Sequence, residues 1–546
     1  MASSVPFLPR VAARGMVCAA DQLASSAGVT LLAEGGSAAD AVVGAAAAMA
    51  VVGPHLCGLG GDALAMVRAP GRRPEGLLGI GRAGSGADAE RLRAEGHADM
   101  PLRGDIRSVP VPGAVDAWLA LHARYGRLPW ARVLEPAVAL AEEGFAASLM
   151  LVFASTLVRR VAGAEDLCPP GGLDVGHLVR RPGLARTLRT LAAEGRDGFY
   201  GGAFGRALLA LGAGEYRPED LATPLAAWVE PLTLRALGHD LWTVPPPSQG
   251  YLSLAATWVA EQVGLPTDPA DPGWAHVVAE ASRVTGEDRP LVLYDGADGP
   301  ALLAPARLAA WAASVDPEGP TPSAAAPPPT GRRAGARPAG LSADGDTTHL
   351  CAADGDGLAI SLTQSNALDF GAHIVAGDTG VFLHNRGVGF SLEAGHPAAY
   401  GPRRRPTHTL SPAIATGPDG SATHVLGAMG GDVQPQVVLQ LLARLLHSGQ
   451  DPATAIAAAR VVHEAPGAAP FRLWHAPARS LVMEAHAPER WKPGLEARGH
   501  TVRVIGALNP VDVGCAQVIS VTHAAGHVIL TGASDPRSPD GAAVGH

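Results

Sequence analysis

Apolar positions follow a helical period through much of the first part of the chain and a strand-like alternation through much of the last part. The most legible helix is GGSAADAVVGAAAAMAVVG. Ser37 is placed as its N-cap, and Asp40 three residues later completes a capping-box-like pattern. So alanine-rich a body predicts close packing inside the protein. The pattern stays mostly helical from about 108 to 240, in AVDAWLALHARYG, WARVLEPAVALAEEGF and LARTLRTLAAEGRDGFYGG, and a second helical block runs from about Ser253 to Val315. Residues 316–346 are rich in Pro, Ala, Gly and Arg and lack an apolar period, which predicts a mobile segment. From Thr347 onward strand–turn–strand signals dominate, as in AADGDGLAI, IATGPDGSATHVLG and HTVRVIG. The expected map is helix-rich first, strand-rich second, with a flexible joint between.

The joint ends abruptly at Thr347-Thr348-His349. His349 to Ala353 and Leu358 to Thr363 flank Asp354-Gly355-Asp356-Gly357, which predicts a hairpin. Pairing Ala353 with Leu358 sets Thr347 opposite Gln364; a one-residue change of register brings Ser365 there instead. An internal threonine hydroxyl is a poor nucleophile without an adjacent base. A chain break before Thr347 creates one, because the new α-amino group has an ordinary pKa of about 7.7–8.0. An N-terminal threonine is a recognised variant of triad chemistry. The plain alternative is a Thr-rich strand that begins after a loop.

Composition narrows the class. Hydrophobic residues make up 47% of the 546 positions and charged residues 17%, which fits a globular protein. The net charge of −9 is spread without basic blocks, which argues against a nucleic-acid partner. No H-E-x-x-H or paired C-x-x-C is present, so neither a metal nor a cofactor is expected. Gly58-x-Gly60-x-x-Ala63 imitates a dinucleotide fingerprint, but the order of helix and strand around it is reversed. The five cysteines are odd in number and far apart, so no disulfide framework is expected. The N-terminal stretch lacks an apolar core of signal-peptide length, and the longest apolar run, Ala41 to Val52 apart from Gly44, is too short to span a bilayer. A soluble cytoplasmic protein with no membrane partner is the expectation.

Longer motifs add a resemblance. GGSAADAVVGAAAAMAVVGPHLCGLGGDALAMV, SVPVPGAVDAWLALHARYGRLPWARVLEPAVALAEEGF, PPPSQGY, TTHLCAADGDGLAISLTQSN, FGAHIVAGDTGVFLHNRGVGFSL, HTLSP and GAMGGD lie in one order across most of the chain. Together they resemble the gamma-glutamyltransferase family of N-terminal-nucleophile hydrolases. The resemblance implies an α/β (α+β) fold, a four-layer αββα sandwich. It also implies a precursor that cuts itself between Asp346 and Thr347 into a large fragment, 1–346, and a small one, 347–546, which stay associated. Thr347 would take an acyl group, γ-glutamyl or glutaryl-like, from a small amide substrate and pass it to water or an amine.

Residue by residue, Thr347 matches the nucleophile, and Gly430 and Gly431 match the pair whose N–H groups form an oxyanion hole. Arg82 matches the arginine that grips the substrate carboxylate. Ser365 stands where a second active-site threonine usually lies, and His408 and Thr409 occupy the position of a substrate-binding serine pair. The departures concern substrate. In HNRGVGFS, Val388 and Gly389 replace the acidic residues that bind an α-amino group, while Arg386 adds a positive charge. Ala367 replaces a substrate-binding asparagine, with Asn366 adjacent. These changes resemble the acylase-like branch. The contrasting expectation is an uncleaved, inactive relative that serves as a binding or structural protein.

Overall fold

The structure, a computed structural model, describes residues 7–319, 346–465, 470–476, 479–524 and 527–546. Residues 320–345 of the expected mobile segment lie outside the described residues. Two seven-stranded sheets form the centre. One runs in the order Ala542–Gly545, Gly15–Ala19, Asp346–Asp354, Ala359–Ala367, Asp62–Arg68, Glu75–Gly79 and Ala226–Val229. The other runs Arg10–Ala12, His527–Ser534, Ala516–Ala524, Ala422–Ala428, Ala413–Thr416, His239–Thr243 and Leu232–Ala236. Neighbouring strands within both are antiparallel.

Met16, Cys18, Leu64, Met66, Cys351, Ile414, Val425 and Ile519 fill the space between the sheets. Helices Gln22–Ala33 and Ala38–Val52 cover the outer face of the first sheet. Tyr251–Val263 and Gln434–Leu442 cover the second, and Pro272–Gly286 packs on them. This is a four-layer αββα sandwich.

Local rules place the central helix. Ser37 Oγ accepts the amides of Ala39 and Asp40, and Asp40 Oδ2 accepts the Ser37 amide at 2.8 Å, closing the capping box. Every residue from Ala38 to Val52 is buried. Gly44 is needed for close approach: a Cβ there would lie 2.3 Å from Leu31 Cδ1. Asp354 in the hairpin turn accepts the Ala38 amide at 2.9 Å, so the turn also caps this helix.

The part before Thr347 is richer in helix and the part after it richer in strand, yet half the strands of the two sheets precede Thr347 and helices such as Gln434–Leu442 follow it. Each sheet needs strands from both sides of the joint. One expectation is corrected: the hairpin register differs by one. Ala353 pairs with Ala359 and Thr348 with Gln364, with an irregularity between Asp346 and Thr348. The Asp354 carboxylate accepts the Asp356 and Leu358 amides, which draws Leu358 into the turn and lengthens it.

Candidate active site

That register sets Thr347 beside Ser365. Thr347 Oγ1 donates to Ser365 Oγ at 3.0 Å, and both residues are buried. Ser365 Oγ also accepts the Ala367 amide at 2.8 Å and Arg386 Nη2 at 3.2 Å. The first contact needs Ala367 at φ +77°, a left-handed conformation rarely adopted by alanine. Arg386 begins a short 3-10 helix, Arg386–Gly389. Its Nη1 donates to Thr409 Oγ1 at 3.0 Å, and its guanidinium stacks on the Phe471 ring with 5.0 Å to the centroid. Nε has no partner. Burial pushes the Arg386 pKa down to about 10, against the opposing fields of Asp62 and Asp432. A cation is therefore held in the interior beside the hydroxyl pair.

The same connections continue to the two glycines. Gln249, within PPPSQGY, donates through Nε2 to Thr409 O at 3.1 Å and Gly431 O at 2.9 Å. Gly430 has φ +124° and Gly431 φ +58°. At Gly430 a Cβ would lie 2.8 Å from Val433 Cγ2, so space and backbone both call for glycine. Thr347, Ser365, Arg386, Thr409, Gln249 and Gly431 thus form one hydrogen-bonded series from the first sheet into the surrounding loops.

The other expected site residues are placed less directly. Arg82 follows the strand Glu75–Gly79; it is half-buried, and its Nε is unpartnered. Asn366 donates through Nδ2 to Pro54 O at 3.1 Å, while its buried Oδ1 has no partner among the described residues. The His408 imidazole is fully buried. Its Nδ1 accepts the Leu410 amide, so Nε2 carries the proton and donates to Asp62 Oδ2 at 3.1 Å. Burial brings the His408 pKa down to about 4, which keeps the ring neutral.

Val388 and Gly389 line a pocket with Arg289, Phe471, Arg472 and His475. Its wall carries arginines where an ammonium-binding site would carry carboxylates. A Cβ at Gly389 would lie 2.5 Å from Thr407 O, so a larger residue there requires the loop to move. Arg289 Nη2 pairs with Asp432 Oδ1 at 3.2 Å, directly after the two glycines. Asp62, Gln249, Arg289 and Phe471 escaped sequence reasoning. Only Asp62 and Gln249 lay inside recognisable motifs, and neither motif indicates a partner.

The four-layer αββα sandwich is that of the N-terminal-nucleophile hydrolases. The chain belongs to the Gamma-glutamyltranspeptidase family, which it matches over residues 24–545. It is 35% identical to the oxamate amidohydrolase proenzyme of Klebsiella pneumoniae, over 98% of this chain and 99% of that protein. It is 32% identical to the glutathione hydrolase-like YwrD proenzyme of Bacillus subtilis, again over 98% and 99%. The crystal structure of cephalosporin acylase from Bacillus halodurans superposes with a TM-score of 0.85 at 28% identity, covering 98% of this chain and 97% of that one. The family supports a hydrolase of amide bonds made as a proenzyme.

Proposed function

We propose that the chain is a self-processing amidohydrolase that forms an acyl-enzyme on Thr347 and takes a glutaryl-like group in preference to γ-glutamyl. In maturation, Thr347 Oγ1 attacks the Asp346 carbonyl carbon. The C–N bond breaks as the ester forms, and the amide nitrogen becomes the α-amino group of Thr347. Water then cleaves the ester, leaving a new carboxylate at Asp346 and fragments 1–346 and 347–546.

In turnover the α-amino group accepts the Oγ1 proton as the hydroxyl attacks the substrate amide. The leaving amine departs with that proton, and water or a second amine releases the acyl group. Backbone N–H groups of Gly430 and Gly431 suit the developing oxyanion, because they are fixed before charge appears. Ser365 orients the Thr347 hydroxyl. Arg386, with Arg82 and the Thr409 hydroxyl, supplies donors for a substrate carboxylate.

The observation that carries this reading is the contact of Thr347 Oγ1 with a Ser365 hydroxyl that also meets the buried Arg386 guanidinium. A cation in that position favours an anionic acyl group, and the Val388–Gly389 wall offers no carboxylate for an ammonium. Oxamate, the amide in the name of one relative, likewise carries a carboxylate and no ammonium. On a denaturing gel, wild-type protein of 55.4 kDa is expected as bands of roughly 35 and 20 kDa, and Thr347→Ala as one full-length band. Glutaryl-p-nitroanilide is expected to be hydrolysed at least as well as γ-glutamyl-p-nitroanilide. An uncut wild type would overturn the self-processing, and a strong preference for the γ-glutamyl compound would overturn the substrate assignment.

A further inference from the structure

The strand Asp62–Arg68 pairs with Ala359–Ala367, and in that register Asp62 stands opposite Ser365. Its carboxylate is fully buried, yet no arginine or lysine forms an ion pair with it among the described residues. Instead Oδ1 accepts the amides of Gly81 at 2.8 Å and Gly113 at 3.2 Å, and Oδ2 accepts His408 Nε2 at 3.1 Å. His384 approaches from the loop before the short 3-10 helix: Nδ1 lies 3.5 Å from Asp62 Oδ2, and Nε2 donates to Pro110 O at 2.8 Å. Three of these partners stand within two positions of a residue of the proposed site. Gly81 precedes Arg82, His408 precedes Thr409, and His384 lies two positions before Arg386.

Arg386 in turn has two hydroxyl partners and no directly paired carboxylate among the described residues. A guanidinium removed from water loses solvation, and a nearby negative field offsets part of that cost. We propose that Asp62 is a positioning residue for the substrate carboxylate: it fixes the backbones that carry Arg82 and Thr409, and supplies the long-range counter-charge of Arg386. This rests on the reading of the site as one for an anionic acyl group. The carboxylate itself touches no reacting atom.

The electrostatics agree with the geometry. Burial tends to raise the Asp62 pKa, while His384, His408 and the backbone amide of Gly81 lower it; the three N–H donors on the carboxylate suit an anion. The groups that act on Arg386 are Asp62 and Asp432, which favour its charge, and Arg289, which opposes it. Burial lowers the pKa of both His384 and His408, and the Arg386 charge acts on both rings in the same direction. Removing the Asp62 charge therefore leaves Arg386 with Asp432 alone, a carboxylate already paired with Arg289.

The test compares wild type with Asp62→Asn, using glutaryl-p-nitroanilide and its uncharged analogue butyryl-p-nitroanilide between pH 6 and 10. Binding of free glutarate is measured alongside by calorimetry, which needs no turnover. The variant is expected to lose at least tenfold more kcat/KM on the glutaryl compound than on the butyryl one, chiefly through KM. Its alkaline decline should begin at lower pH, and glutarate binding should weaken with it. An equal loss on both substrates, with an unmoved pH profile, would mean that Asp62 is merely structural and would overturn the inference. If wild type neither binds glutarate nor prefers the glutaryl compound, the anionic-acyl reading fails first and takes the inference with it. Should Asp62→Asn not fold, His408→Leu keeps the carboxylate but removes a donor beside Thr409; a raised KM confined to the glutaryl compound is expected, and an unchanged KM would count against the proposal.

Discussion

Among the described residues, Ser365 Oγ lies within hydrogen-bonding distance of Thr347 Oγ1, Arg386 Nη2 and the Ala367 amide. Ser365→Ala removes the partner of the proposed nucleophile and one of the two hydroxyl partners of Arg386. A hydrogen bond involving a charged group contributes about 1.5–3 kcal/mol, so kcat/KM is expected to fall roughly ten- to a hundredfold. Ser365→Thr keeps the hydroxyl and should retain most of the activity. Loss in both variants would mean that packing, and not the hydroxyl, is what matters there. At this scale the sequence exposed the hydroxyls and the glycine pair, because their motifs are contiguous. Arg386 stood out only as an unexpected charge. That it is buried, and that its partners come from positions 365 and 409, are facts of tertiary contact.

The helix Ala38–Val52 is legible from its cap and its alanines alone, because capping is settled within four residues. What those alanines are for is decided by neighbours. Gly44 admits Leu31, and a side chain there would also approach Val133 O at 3.2 Å. Gly44→Val is expected to destabilise the fold by about 1–3 kcal/mol through overpacking, read as a lower melting temperature, with smaller harm from Gly44→Ala. An unchanged melting temperature would show that Leu31 moves aside freely. The hairpin teaches the converse. Its two flanks were visible in the sequence, but the register was not. The side chain of Asp354 captures two amides and adds one residue to the turn. That single residue decides whether Gln364 or Ser365 stands beside Thr347.

Across the whole molecule, buried imidazoles make stability depend on pH. Burial brings the pKa of His55, His408 and His463 down to about 4, and that of His349 to about 3. In the unfolded chain each returns to about 6.5. The folded protein thus binds fewer protons than the unfolded one below that value. Stability from these groups is complete above about pH 6.5 and falls as pH drops toward 4, by up to about 1.4 kcal/mol per pH unit for each ring. Melting temperatures measured from pH 7 to pH 4 should decline steeply. A flat profile over that window would show that the rings charge without cost in the fold.

Sequence by itself determined the nucleophile candidate, the glycine pair, the capped helix and the family resemblance, since each is written in adjacent residues or in motifs whose order is fixed. It also places Val388 and Gly389 where the resemblance leads one to expect acidic residues. Tertiary structure alone decided the register at Thr347, the burial of Arg386 and the convergence of Gly81, Gly113 and His408 on Asp62. The physical reason is separation along the chain. Asp62 and His408 are 346 positions apart, and only the closure of two sheets over one core brings a carboxylate and its donors within hydrogen-bonding distance.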